Sequence, residues 1–194
     1  SALGGRLELH GLSGSLARRF VVERAIFAQA GVRIELREIE IAWSLRALLS
    51  RAIDISSLQV GHVDVRVVPS GEPVELPASL ALPVDFRADD VAIGKVEVRV
   101  GEAAPLHFRD VTLGYRGGRT QHEVEALRIG TPWGPMSGAL TMGAHADFAV
   151  EGKLAWTLAD LPVDGALDAK LAGTLARIEL PLTGVLLRHA VTGS

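Results

Sequence analysis

Alternation of apolar and charged residues constrains the fold of this chain more than any other feature. It is clearest in residues 32–37 and 62–67, where an aliphatic residue and a charged or polar residue take turns. Successive side chains of a β-strand point to opposite faces of the sheet, so these segments form strands with one dry and one wet face. Similar segments recur along the chain, and about a dozen strands are expected.

The signals between these strands favour antiparallel neighbours. Gly117 and Gly118 stand between two alternating segments and form a good two-residue hairpin signal. In two strands the alternation of apolar and polar residues shifts by one position, between Leu36 and Ile39 and between Ile55 and Leu58. A bulge or tight turn at each break would return the apolar residues to the same face.

An internal repeat relates residues 58–67 to residues 91–100, at an offset of 33. The two segments read LQVGHVDVRV and VAIGKVEVRV, so each is a strand interrupted by one glycine. Repetition of such a unit at this period suggests that the units stack on one another.

Two segments depart from the strand pattern. Ser44 can cap a short helix near residues 44–50, because its hydroxyl can accept a hydrogen bond from a free backbone N–H. Residues 69–83 contain four prolines, which remove backbone donors and predict an extended crossing loop. Residues 1–194 are otherwise expected to form a single all-β, mainly antiparallel fragment.

Composition excludes several classes of function. The chain is 48% hydrophobic but only 5% aromatic, so its apolar residues are mostly aliphatic, and its net charge of -3 does not favour binding to nucleic acid. It has no cysteine, and its six histidines lack metal-ligand spacing. Residues 11–15 lack the context of a nucleophile elbow, and residues 114–118 are not followed by the Gly-Lys-Ser/Thr of a phosphate loop. No enzyme activity, metal or cofactor is expected.

The order of several segments in the first half of the chain resembles that of the TamB family, which is related in architecture to AsmA-like and chorein-type bridge proteins. A Gly-Ser-Leu segment precedes a strand that ends in Trp, a short Leu-Leu element, another strand and a Pro-Ser-Leu crossing. The segments that carry the resemblance are Leu12–Leu16, Val32–Leu36, Ile39–Trp43, Leu45, Leu48–Leu49, Ile53–Ile55, Leu58, Val63–Val65 and Pro77–Val84.

This resemblance implies an N-terminal periplasmic part of an inner-membrane-anchored protein of a Gram-negative bacterium. The implied fold is an elongated β-taco, a sheet bent into a trough whose apolar face solvates the acyl chains of phospholipid. The implied partner is an Omp85-type outer-membrane barrel. Two roles are implied: transport of phospholipid between the membranes, and service as a scaffold or chaperone for outer-membrane protein (autotransporter) assembly.

The aliphatic side of the alternating strands is the expected lipid groove. The same residues would form the closed core of a β-sandwich or barrel, and that alternative stays open at this point. The candidate groove residues are Val32, Ile34, Leu36, Ile39, Ile41, Val63, Val65, Val67, Val96, Val98, Val100, Leu106, Phe108, Leu113, Leu154 and Trp156. The three tryptophans, Trp43, Trp133 and Trp156, are interpreted as packing anchors.

Overall fold

The chain folds into β-strands, as a computed structural model shows for residues 6–15, 19–29, 31–44, 52–68, 79–159, 163–174, 177–179 and 181–188. The strands are β1 (Arg6–Ser15), β2 (Arg19–Gln29), β3 (Val32–Ser44), β4 (Ala52–Val67), β5 (Asp85–Val100), β6 (Leu106–Gly117), β7 (Gln121–Thr131), β8 (Gly134–Gly143), β9 (Ala149–Leu158), β10 (Val163–Thr174), β11 (Arg177–Glu179) and β12 (Leu182–Arg188).

All twelve strands belong to one open sheet. Strands β1 to β11 follow each other in chain order, and β12 pairs with β10. Every neighbouring pair is antiparallel except β4 and β5, which are parallel. The prediction of a mainly antiparallel all-β fold is confirmed, and the unclosed sheet is consistent with a groove.

The sheet does not close on itself over the residues that are described. The strand pairs in substantial contact are those that lie next to each other in the sheet. Among the described strands, no pairing joins β1 to β11 or β12, so the sheet does not close into a barrel. The closed-barrel alternative is therefore not what these residues form.

The internal repeat explains the parallel pair. Leu58 pairs with Val91 and Val67 pairs with Val100, so each residue of the repeat lies beside its own counterpart. Equal sequences in parallel register present the same face, which keeps the aliphatic sides of β4 and β5 continuous. The two repeated units are neighbours in the sheet, as stacking of the repeat requires.

A kink, here called the first crease, crosses six strands at one level. At this level the backbone pairing is skipped while the register on either side is unchanged; for example, Arg37 pairs with His62 and Ile39 pairs with Val60, but the residues between them do not pair. The residues of the first crease are Gly11, Glu23, Glu38, Gly61, Gly94 and Asp110. Three of them have positive φ: Gly11, Glu38 and Asp110.

The first crease accounts for the change of phase after Leu36. Leu36, before the crease, packs against the same buried cluster as Ile39, which follows the crease. A second irregularity, at residues 56–57 of β4 and 89–90 of β5, does the same for Ile55 and Leu58, which both belong to the next cluster. The prediction that each break restores the apolar face is confirmed.

The predicted hairpin at Gly117 and Gly118 joins antiparallel strands, but its turn is longer than two residues. β6 ends at Gly117 and β7 begins at Gln121, with the Gly118 N–H donating to the Gln121 carbonyl at 3.0 Å. The predicted helix falls largely on residues 45–50, outside the described residues, and Ser44 is the last residue of β3. Residues 69–78 of the predicted crossing loop also lie outside them.

The end of the crossing loop is attached to the sheet. The Leu80 N–H donates to the Ala144 carbonyl at 2.8 Å, and the Leu82 N–H donates to the Gly118 carbonyl at 3.0 Å. His122 completes the attachment, because its Nε2 lies 3.0 Å from the Leu80 carbonyl oxygen. Residues 80–82 are thus anchored beside the start of β7 and the end of β8.

Candidate functional site: two faces of an open sheet

The candidate groove residues fall into rows across the sheet. Strand register aligns them so that each row is continuous over three or four strands. The rows are Val32, Val67 and Val100; then Ile34, Val65, Val98 and Leu106; then Leu36, Val63, Val96 and Phe108. Since alternate residues share a face, all three rows lie on one side, here called the apolar face.

The other candidates extend the apolar face beyond the first crease and toward β9. Ile41 packs against both buried clusters, and Leu113 packs against the second. Leu154 pairs with Gly138, and Trp156 pairs with Met136, six strands away from β3. The ring of Trp156 meets that of Trp133 edge to face at 5.7 Å, which fits a packing role.

The apolar side chains of this face are buried in its middle and exposed at its margins. Val22 and Val60, at the first crease, are only 4% exposed, because neighbouring side chains of the same face pack around them. By contrast, Val100 is 48% exposed and Leu106 is 42% exposed. Leu7, Leu9 and Leu12 of the edge strand β1 are also exposed. These bare residues are where the face can meet an apolar ligand.

The exposed leucines of β1 are functional candidates that sequence reasoning missed. Leu9 pairs with Ala25 and Leu12 pairs with Val22, both of them buried core residues, so the leucines continue the apolar face to the edge of the sheet. The sequence contained a pattern that indicates them. Leu9 and Leu12 lie on either side of Gly11 with the same spacing of three residues that separates Leu36 from Ile39.

The opposite side, here called the charged face, carries its charges in rows. Each row has one sign of charge over most of its length. The first basic row is Arg6, Arg33, Arg66 and Arg99; the acidic row is Glu8, Glu35, Asp64 and Glu97; the second basic row is His10, Arg24, Arg37, His62, Lys95 and Arg109. The acidic row therefore lies between two basic rows.

Glu35 is the centre of the acidic row and is 8% exposed. The Arg24 guanidinium contacts both carboxylate oxygens of Glu35, with each nitrogen–oxygen distance 2.9 Å. Arg37 Nε donates to Glu35 Oε1 at 2.7 Å. The hydrogen bond from Arg24 leads the effects that lower the pKa of Glu35, with Arg37 adding to it against the opposing effect of burial. Glu35 is thus a structural carboxylate held ionised by its neighbours.

A large furrow lies on the charged face. It has a volume of about 1240 Å³ and runs from β3 to β9. Its lining takes Glu35, Asp64 and Glu97 from the acidic row and Arg37, His62, Lys95 and Arg109 from the second basic row. Of the candidate groove residues, Val63, Val96 and Phe108 contribute to the lining. The furrow and the apolar rows are therefore largely separate surfaces.

A partly buried pair, Tyr115 and His122, has side chains of a kind found in catalytic sites but serves to hold the structure together. His122 is 8% exposed, with Nδ1 2.7 Å from the Tyr115 hydroxyl and Nε2 facing the Leu80 carbonyl. A neutral ring with the proton on Nε2 satisfies both contacts, the tyrosine donating to Nδ1. Burial raises the pKa of Tyr115 above its usual value. One ring nitrogen of His122 holds the crossing loop, and the other holds Tyr115 of β6.

Within the described ranges, no helix is long and apolar enough to cross a membrane, and no group of three or more His, Cys, Asp or Glu side chains is arranged to hold a metal ion. Comparison of the chain with family models, with curated proteins and with solved structures found no match.

Proposed function

We propose that the chain is a non-catalytic lipid-binding module in which the apolar face of the open sheet holds phospholipid acyl chains. The observation that supports this most is the continuity of that face. Every strand from β1 to β6 slips by one residue at the first crease, so most of its aliphatic side chains stay on one side across the crease. The sheet that carries this face is not closed over the described residues.

The energetics favour an extended aliphatic surface. Exposing an acyl chain to water costs about 0.8 kcal/mol for each CH₂ group. A row of four aliphatic side chains spans three inter-strand gaps of about 4.8 Å, so one row can follow a tail for roughly 14 Å. The bare positions at Val100, Leu106 and the β1 leucines give a tail access to the face without prior unfolding.

In the cellular setting that the TamB resemblance implies, the module would sit in the periplasm as part of an inner-membrane-anchored protein. Phospholipid would pass along the apolar face toward an Omp85-type barrel in the outer membrane. The module itself needs no cofactor for this, because binding rests on apolar contact alone.

Crosslinking at neighbouring residues on opposite faces tests the proposal. A photo-reactive amino acid at Val100 or Leu12 should capture lipid during expression or after mixing with vesicles. The matched controls are Arg99 and Ser13, one residue away and on the charged face. Equal labelling at Arg99 and Val100 would count against the proposal, and so would a lack of lipid at both apolar positions.

Charge insertion provides a second test. Val65→Asp places a carboxylate in the middle of an apolar row, and it should sharply reduce the lipid that co-purifies, as measured by mass spectrometry. Gln59→Glu adds the same charge to the charged face of the same strand and should leave lipid capture unchanged. Circular dichroism of both variants establishes that the sheet is retained. Full lipid capture by a folded Val65→Asp variant would contradict the proposal.

A second candidate function rests on the edge strand β1. Its outer side has no strand partner among the described residues, and ten residues of backbone are available there for pairing. Such an edge can accept another strand by β-augmentation, as a scaffold for outer-membrane protein assembly would require. A photo-reactive residue at Leu9 should then capture extended peptide, whereas the lipid-binding function predicts acyl chains at the same position.

A further inference from the structure

The second basic row contains charges that the sheet does not neutralise. Arg24 and Arg37 are bound to Glu35, but Lys95 and Arg109 form no ion pair with any described residue. Lys95 and Arg109 lie directly opposite each other on β5 and β6. Like charges in directly opposite positions repel and destabilise a sheet, so this arrangement is one that a bound anion would relieve.

Arg128 adds a third cation from the next strand. Arg109 pairs with Gly130 on β7, two residues from Arg128, which places the two guanidinium groups on the same face as diagonal neighbours. Gly130 leaves room for this: a Cβ at that position would lie 2.7 Å from Arg109 Cγ. The Arg109 side chain therefore extends across β7, and all three cations line the furrow.

The carboxylates of the furrow do not cancel these charges. Glu35, Asp64 and Glu97 are each engaged by arginines, with Arg66 at 3.0 Å from Asp64 and Arg99 at 2.9 Å from Glu97. Asp110 is the lining carboxylate that forms no ion pair with the described residues. Three free cations against one free carboxylate leave this end of the furrow electropositive.

We propose that Lys95, Arg109 and Arg128 together bind a phosphate group inside the furrow. Guanidinium groups suit this ligand because they donate two parallel hydrogen bonds to phosphate oxygens, and the lysine adds a point charge. The phosphate belongs either to a lipid headgroup or to a free phosphate compound. The site lies on the charged face, so it is independent of the acyl-chain binding proposed for the apolar face.

Isothermal titration calorimetry with inorganic phosphate tests the site at low ionic strength. Arg109→Gln and Lys95→Gln should each weaken binding by about tenfold or more, the effect of losing one charge-assisted hydrogen bond. Arg119→Gln, in the turn between β6 and β7, removes the same charge away from the furrow and should leave the affinity unchanged. No binding of phosphate by the wild type and none of anionic vesicles, or equal losses in all three variants, would overturn the proposal.

Vesicle co-sedimentation separates the two sources of phosphate. Preference for phosphatidylglycerol over phosphatidylcholine that Arg109→Gln abolishes would identify a lipid headgroup. Phosphate binding without vesicle binding would identify a free phosphate compound. Vesicle binding that Arg109→Gln does not change, in the absence of phosphate binding, would refute the site. Acyl-chain crosslinking at Val100 is a separate readout, so failure of either proposal leaves the other identifiable.

Thermal unfolding detects phosphate binding through its effect on stability. Phosphate should raise the unfolding midpoint of the wild type more than chloride does at equal ionic strength, because it relieves the repulsion between Lys95 and Arg109. In Lys95→Gln that repulsion is already gone, so the phosphate-specific rise should shrink. An equal rise in both proteins would contradict the proposed contact.

Discussion

Replacing Gly94 with alanine should destabilise the sheet, whereas the same change at Gly114 should not. A Cβ on Gly94 would lie 2.9 Å from the Gly61 carbonyl oxygen, whereas ordinary contact begins near 3.4 Å. Strands β4 and β5 must therefore separate by about half an ångström at the first crease, and overpacking of this kind costs about 1–3 kcal/mol. At Gly114 the nearest atom, the Asp89 carbonyl oxygen, is 3.6 Å away.

The two glycines are a matched pair because both lie within strands and neither has a positive φ. Alanine restricts the unfolded chain and by itself stabilises by about 0.4–1 kcal/mol where it fits. Gly114→Ala should therefore gain about 0.5 kcal/mol, and Gly94→Ala should lose about 0.5–2.5 kcal/mol after the same gain is subtracted.

Urea unfolding followed by far-UV circular dichroism measures both changes, and thermal melting provides a second reading. For a chain of this size, 1 kcal/mol shifts the melting temperature by about 2–4 °C, so the two variants should differ by several degrees. Equal stabilities for the two variants would refute the close approach of β4 and β5 at the crease. So would a loss at Gly114 as large as that at Gly94.

Three further predictions concern single side chains. Glu35→Gln should lower the free energy of unfolding by about 1 kcal/mol near neutral pH. Because the pKa of Glu35 is lowered in the folded protein, the wild type should lose this advantage as the pH falls from the usual pKa of 4.5 through the pKa of the folded state. Unfolding measured as a function of pH should show the stabilities of the two proteins becoming equal. Tyr115→Phe should lower the free energy of unfolding by about 1–3 kcal/mol, since His122 Nδ1 loses its hydrogen-bond partner. Because burial raises the pKa of Tyr115, the stability of the wild type should fall as the pH rises above 10.0, and the variant should lack that decline when unfolding is measured against pH. Glu38 has a φ of 57°, so Glu38→Gly should be about 1 kcal/mol more stable than Glu38→Ala in urea unfolding. In a regular strand alanine is the more stable of the two. A Glu38→Ala variant more stable than Glu38→Gly would show that the crease does not impose this φ.

Much of the fold was predictable because it depends on local patterns. Alternation at residues 32–37 reports the two faces of a strand directly, and the slip from Leu36 to Ile39 reports a kink. The parallel pair was not predicted, although its signals existed. A repeat pairs with itself in register only if the strands are parallel, and parallel strands need a connection of about a dozen residues or more, which residues 68–84 supply.

The charged face was less accessible to sequence reasoning. Alternation shows that Lys95 and Arg109 point to the wet side of their strands, but it does not show that they lie opposite each other. That depends on the register between β5 and β6, which turns and bulges set. A wet face was therefore interpreted as solvated, whereas the structure gathers its charges into rows and a furrow.

The first crease also limits how the length of this chain can change. Removing Gly61 alone would turn every side chain of β4 on one side of the crease to the wrong face, placing aspartate and arginine among the valines of β3 and β5. The same deletion would have to occur in all six strands at once to preserve the sheet. Insertions and deletions should therefore be confined to the connections between strands, while single substitutions remain possible within them.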